Sequence, residues 1–122
     1  MTTSVRGVRP YDLDMTYLQV MTTVDSREAA DRLADALVRE RLAACVQVVG
    51  PIRSTYWWKG EVETAEEWLC LVKTAEARYA ALEARIRELH SYDVPEITAV
   101  QFAAGSADYL GWIAAETRPS SG

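Results

Sequence analysis

One histidine and two cysteines are the side chains here with the most chemistry to offer, and a glutamate six residues beyond the histidine joins them. His90 can ligate a soft or borderline metal, or exchange a proton near neutral pH. It also closes a predicted helix, where a partly positive ring suits the dipole. A lone histidine seldom makes a site without neighbouring ligands, so a structural role is favoured. Glu96 follows Pro95 in a predicted loop. A carboxylate there suits a hard cation, but one is too few, and a hydrogen bond to a neighbouring loop is an equal use. Cys45 offers a thiolate to copper, against a plainer role as a packed residue at a strand start. Cys45, His90 and Glu96 are thus the candidate metal set, whereas Cys70, inside the apolar run from Trp68 to Val72, reads as core.

A second candidate set is Lys73, Tyr92 and Glu96, as contacts for a small ligand. Lys73, leaving an apolar strand, would hold an anion, and Tyr92 would stack on the ligand. Their ordinary alternatives are a solvated strand end and interface packing, for which tyrosine is enriched. Trp57, Trp58, Trp68 and Trp112 suit a ligand cage, or aromatic packing in core and interface. No catalytic residue is assigned. A serine–histidine–acid triad would have to recruit the single histidine, no G-x-S-x-G supports one, and glycine-rich phosphate loops are absent. The alternative is an enzyme whose acid–base site, His90 with Glu96, forms between subunits.

The 122 residues suit one domain, and 18 acidic against 13 basic residues leave a net charge of −5. That balance is the reverse of what phosphate neutralisation needs, so nucleic acid is not an expected partner. The cysteines lack a CxxC pair or a Cys/His cluster, which excludes a zinc finger on spacing; a disulfide between them stays open. Neither a signal-peptide core nor an apolar run of about 18 residues is present, so no membrane segment and a cytoplasmic location are expected.

The elements that must position these residues follow from periodicity. Residues 1–16, broken by Gly7 and Pro10, read as a flexible tail, and Met15 offers an alternative start. Residues 17–23 alternate as a strand. Asp25, three residues before Glu28, resembles a capping box opening a helix to about Glu40. Residues 42–58 are extended, with Pro51 predicting a bulge or an edge. Lys59-Gly60 is a turn signal, and Glu61 to Lys73 return as the next strand. A second helix spans Ala75 to Leu89, Pro95 stops helix in the loop beyond it, Ile97 to Phe102 form a fourth strand, and Ser106 starts a last short helix. Residues 118–122 read as a tail, leaving 17–117 as the domain. The order β-α-β-β-α-β-α predicts an α+β, ferredoxin-like βαββαβ sandwich with an extra C-terminal helix.

The hairpin strands are each predicted to reach about a dozen residues, twice the ordinary length. They outrun the helices available to cover them, yet Tyr56, Trp57 and Trp58 flank the turn. Such a tip is an apolar patch on an open edge, which a further copy of the chain would cover; these three residues are the candidate interface. Closed symmetry is expected, and the pattern itself does not choose between two and three subunits.

Four blocks in this order resemble the CutA (divalent-ion tolerance) family: Thr22-Thr23 with the helix behind them, Leu42-Ala43-Ala44-Cys45, Ser54-Thr55-Tyr56-Trp57-Trp58-Lys59-Gly60, and His90-Ser91-Tyr92-Asp93-Val94-Pro95-Glu96. Glu67, Lys73-Thr74 and Tyr109-Leu110-Gly111-Trp112-Ile113 add support, so that the likeness covers about residues 18–116. The resemblance implies a ferredoxin-like homotrimer, a role in tolerance of divalent metals such as copper, and a likeness to the PII signalling proteins, which hold effectors in intersubunit clefts. It implies no settled reaction and no required cofactor. The sequence departs from the family pattern at Thr22, where some members place a cysteine proposed to bind copper, at Ser91 and Asp25, which replace prolines, and in the order Gly50-Pro51. An RNA-binding reading of the same element order ranks last, since residues 64–70 lack the basic lead and paired aromatics of that module.

Overall fold

Alternation along the chain decides which face of each strand meets the helices. The structure, a computed structural model, describes residues 15–119. Strand β1 is Tyr17–Val24, helix α1 Arg27–Arg39, β2 Cys45–Trp58, β3 Glu61–Ala75, α2 Tyr79–Leu89, β4 Thr98–Gln101 and α3 Ala107–Glu116. The sheet order is β2-β3-β1-β4, and each neighbouring pair is antiparallel. This is the predicted ferredoxin-like arrangement with its extra helix.

Leu18, Val20 and Val24 of β1 and Cys70 and Val72 of β3 share one face with Ala30, Leu33 and Leu37 of α1 and Leu82 and Ile86 of α2. That single cluster buries the apolar stripes of both main helices, the dominant stabilising term for a domain of this size. The opposite face is covered at one end only, where α3 brings Ile113 and Ala114 onto Tyr17, Ala44 and Ala75. The rest of it stays open. Half-buried Met21, Leu69 and Leu71 lie there beside Val49 and Val100, which are 45% and 51% exposed.

Several boundaries differ from the sequence expectation, each for a physical reason. Helix α1 is capped by Ser26, not Asp25: the backbone of Ser26 is extended, and its hydroxyl accepts from the Ala29 N–H at 3.0 Å. β3 runs two residues past Lys73, because Ala75 still pairs with Tyr17. The second helix therefore begins later, after one 3-10 turn at Glu76–Arg78. β4 is shorter at both ends, since Ile97 turns toward the main core and Phe102 toward the α3 cluster. Met15 and Thr16, expected in the tail, belong to the domain: Met15 packs on the α3 cluster, and the Thr16 carbonyl accepts from Glu76 N–H at 2.9 Å. The rest of that tail, residues 1–14, and residues 120–122 lie outside the described residues.

The hairpin closes through Lys59 and Gly60, both at positive φ (50° and 84°), the backbone of a tight turn whose twist matches its strands. Between Val49↔Leu69 and Ile52↔Glu67, the two residues Gly50 and Pro51 face the single Trp68, so the predicted bulge is present, and on an edge strand. A Cβ on Gly50 would sit 2.3 Å from Cδ1 of Trp68. Gly50→Ala is therefore expected to destabilise the fold by about 1–3 kcal/mol through overpacking, read as a lower denaturant midpoint in equilibrium unfolding.

Candidate functional site

The segment after α2 carries the polar residues that tie the sheet to the hairpin. Pro95 bars helix there, and His90, the C-cap of α2, has already turned to extended backbone. Its Nδ1 accepts from the Tyr92 N–H at 3.1 Å, which assigns the proton to Nε2; Nε2 then donates to the Thr23 carbonyl at 2.7 Å. The rings of His90 and Tyr92 lie 4.7 Å apart. The Tyr92 hydroxyl donates to Oε2 of Glu67 at 2.8 Å, and Glu67 is only 7% exposed. A relay Thr23–His90–Tyr92–Glu67 thus joins the end of β1, the loop and the middle of β3. Burial, together with the Glu67 carboxylate as acceptor and charge, pushes the Tyr92 phenol well above its ordinary range, with Asp25 and Tyr56 adding to it.

Above the relay lies a cavity of about 520 Å³ between the loop and the hairpin tip. Tyr56, Trp57 and Trp58 wall one side. Glu63, Glu67, Asp93 and Glu96 supply carboxylates, and among the described residues neither lysine, arginine nor histidine lines it. Trp57 is 74% exposed, while Tyr56 and Trp58 are partly covered. The Nζ of Lys59 at the turn stands 5.6 Å from the Trp58 ring centroid.

The predicted residues do not all meet here. Tyr92 and Glu96 line the cavity, and Oε2 of Glu96 accepts from the Thr98 hydroxyl at 3.1 Å. Lys73 does not line it: it sits in the ladder between Cys45 and Gln19, and its ammonium donates to Oε1 of Gln19 at 2.6 Å. Cys45, half-buried at the start of β2, lies opposite Lys73, so the fold separates it from the loop that carries His90 and Glu96. His90 has both ring nitrogens engaged by backbone groups and does not line the cavity. The set Cys45, His90 and Glu96 therefore does not converge within one subunit. Among the described residues, no group of three or more histidine, cysteine or acidic side chains is placed to hold a metal ion. Nor do His90 and Glu96 form an acid–base pair within the subunit. Cys70 is a free thiol that burial, with Asp31 adding to it, pushes up to about 11.

Glu67, the buried member of the relay, was legible from sequence only as part of a family block. Its local signal is an acid directly before the run Trp68-Leu69-Cys70-Leu71-Val72, in a strand whose other acids are exposed. Glu63 and Asp93 carry no signal of their own.

The order β2-β3-β1-β4 with both main helices on one face, and an overlong aromatic hairpin beside a cleft of carboxylates and rings, place the chain in the class of ferredoxin-like α+β proteins. Within that class the chain belongs to the CutA1 divalent ion tolerance protein family, whose model matches residues 18–116. It is 47% identical over 98 residues to the divalent-cation tolerance protein CutA of Thermus thermophilus, covering 80% of this chain and 95% of that protein. It is 44% identical over 101 residues to the chloroplastic protein CutA 1 of rice (Oryza sativa), covering 83% of this chain but 57% of the rice protein's length. In structure it resembles rice CutA1 with a TM-score of 0.84 at 42% identity (87% of this chain, 97% of that one). Its TM-score to the Thermus thermophilus protein is 0.78 at 46% identity, over 80% and 94%.

The raised Tyr92 phenol has a signed consequence. The folded state keeps this proton more tightly than the unfolded chain, so the stability it contributes is present below about pH 10 and is lost as pH rises beyond it. Tyr92→Phe is expected to flatten that alkaline decline, seen in chemical unfolding at stepped pH, and to remove one late-appearing phenolate from an ultraviolet titration. At neutral pH the same change leaves Glu67 without its donor and lowers stability by about 1–3 kcal/mol.

Proposed function

We propose that the chain acts as a homotrimer in the response to divalent metal ions, and that it does so by binding a ligand at clefts between subunits, with no reaction of its own. The observation that carries the reading is the hairpin tip itself. Tyr56, Trp57 and Trp58 stand beside a cleft whose floor is a hydrogen-bonded relay. Among the described residues the face from Met21 to Leu71 is apolar and open, and β2, fourteen residues long, is an edge strand. Together these match what a stable assembly covers. The family's printed description as a divalent ion tolerance protein supports the physiological side, and two free thiols suit a reducing compartment such as the cytoplasm.

Copper or another divalent cation enters this reading as the ion responded to. Direct ligation would need donors from more than one subunit, since Cys45, His90 and Glu96 stand apart in each. The engagement of both His90 nitrogens is why acid–base catalysis with Glu96 is not the reading adopted.

Native mass spectrometry of reduced, metal-free protein tests the assembly first. A trimer is expected, and a monomer at micromolar concentration would refute the reading. Trp57→Glu combined with Val62→Glu, a cross-strand pair 74% and 58% exposed, is expected to shift the protein to monomer while the far-ultraviolet spectrum is kept. Titration with copper and zinc then reads direct binding: a fixed number of ions per trimer, lowered by Cys45→Ser or Glu96→Gln, is the outcome expected if donors meet across the boundary.

A further inference from the structure

We infer that the cavity beneath the hairpin is a site for a small organic ammonium ion, an amine or quaternary ammonium carrying hydrocarbon, held between the aromatic wall and the Glu67 carboxylate. This rests on the reading that the cavity is the chain's ligand cleft and names the chemical class that cleft takes.

Charge excludes most alternatives. Among the described residues four carboxylates line the cavity and no basic side chain does, so an anion would enter against the local field. Glu67 is the sharpest case. It is more than nine-tenths buried, takes one hydrogen bond from a neutral phenol on Oε2, and has no ion pair and no partner for Oε1 among the described residues. A buried carboxylate with so little compensation is costly, and a cation arriving from outside would offset that cost. A neutral apolar guest would only deepen the desolvation.

The other lining residues decide what kind of cation. Tyr56, Trp57 and Trp58 bring aromatic side chains and no lone pairs suited to copper or zinc, and among the described residues no three donor side chains converge on a metal. Ring faces do attract ammonium groups, at about 0.5–2 kcal/mol each depending on desolvation. Trp58 already has such a neighbour in the ammonium of Lys59, 5.6 Å from its ring centroid. A volume of about 520 Å³ falls within the range of small-molecule sites and far exceeds a bare ion, so the ammonium must carry substituents that fill the aromatic side.

The test is calorimetric titration of the reduced, metal-free full chain with choline as probe, against 3,3-dimethylbutan-1-ol, its neutral isostere. Saturable choline binding with quenching of tryptophan fluorescence is expected, with the isostere weaker by about tenfold or more. Glu67→Gln keeps an acceptor for Tyr92 and is expected to weaken choline binding about tenfold while leaving the isostere unaffected. Trp58→Leu should weaken choline more than the isostere. Because Glu67→Gln alters a buried site, Glu63→Gln on the exposed rim serves as a second variant, with a smaller loss that shrinks further at high salt. Choline binding no better than the isostere, or undiminished by both glutamate changes, overturns the inference. A trimer that fails to bind choline removes this inference and leaves the assembly standing; a monomer that binds choline removes the assembly and leaves this inference.

Discussion

The placement of Trp68 on Gly50 is the contact on which the hairpin's course depends. Because Gly50 has no side chain, the indole lies where a Cβ would be, and Gly50 with Pro51 can oppose the single residue Trp68. That extra residue reverses the alternation of β2. Before the bulge its odd-numbered residues, Cys45, Gln47 and Val49, share a face with Lys73, Leu71 and Leu69. Beyond it the even-numbered ones, Ile52, Ser54, Tyr56 and Trp58, share that face with Glu67, Ala65, Glu63 and Glu61. A slip of one residue changes the face of every side chain that follows, so this bulge puts Tyr56 and Trp58 on the same face as Glu67.

The relay under the cavity is the second constraint, and it is electrostatic. Glu67 is buried on a strand whose neighbours are largely apolar, and its charge is tolerated because Tyr92 donates to it. Tyr92 is positioned in turn by His90, whose ring joins the loop's backbone to the last turn of β1. The histidine that drew attention as a metal ligand thus works as a spacer of fixed tautomer. The carboxylate it positions at one remove faces the open cavity, where charge is the feature a ligand would meet.

Much of the fold was legible in the sequence because it rests on local periodicity. The helical stripe Ala30, Leu33, Leu37 and the alternation of β1 both reached the core as expected. The bulge was foreseen from Pro51, and the turn from Lys59-Gly60. Misjudged boundaries lay where tertiary pairing extended or shortened an element, β3 to Ala75 and β4 to four residues, and at the α1 cap, where the Ser26 hydroxyl rather than Asp25 accepts from the Ala29 N–H. Of the candidate site residues, Tyr92 and Glu96 line the cavity together, and Cys45, Lys73 and His90 do not. Glu67, the most buried acid of the site, was marked in the sequence only by its place before an apolar run and within a family block.

By itself the sequence determined the element order, the amphipathic faces, the family blocks and an aromatic hairpin tip too long for its own helices to cover. These are properties of neighbouring residues, readable at periods of two and 3.6. Only the tertiary structure decided that Lys73 pairs with Gln19 on the ladder, away from Glu96, and that both His90 nitrogens are engaged by backbone groups. Only there do the carboxylates and rings of the hairpin, β3 and the loop enclose one cavity. The physical reason is that convergence depends on register and bulge, which set the face of a side chain many residues away and leave no mark in its immediate neighbours.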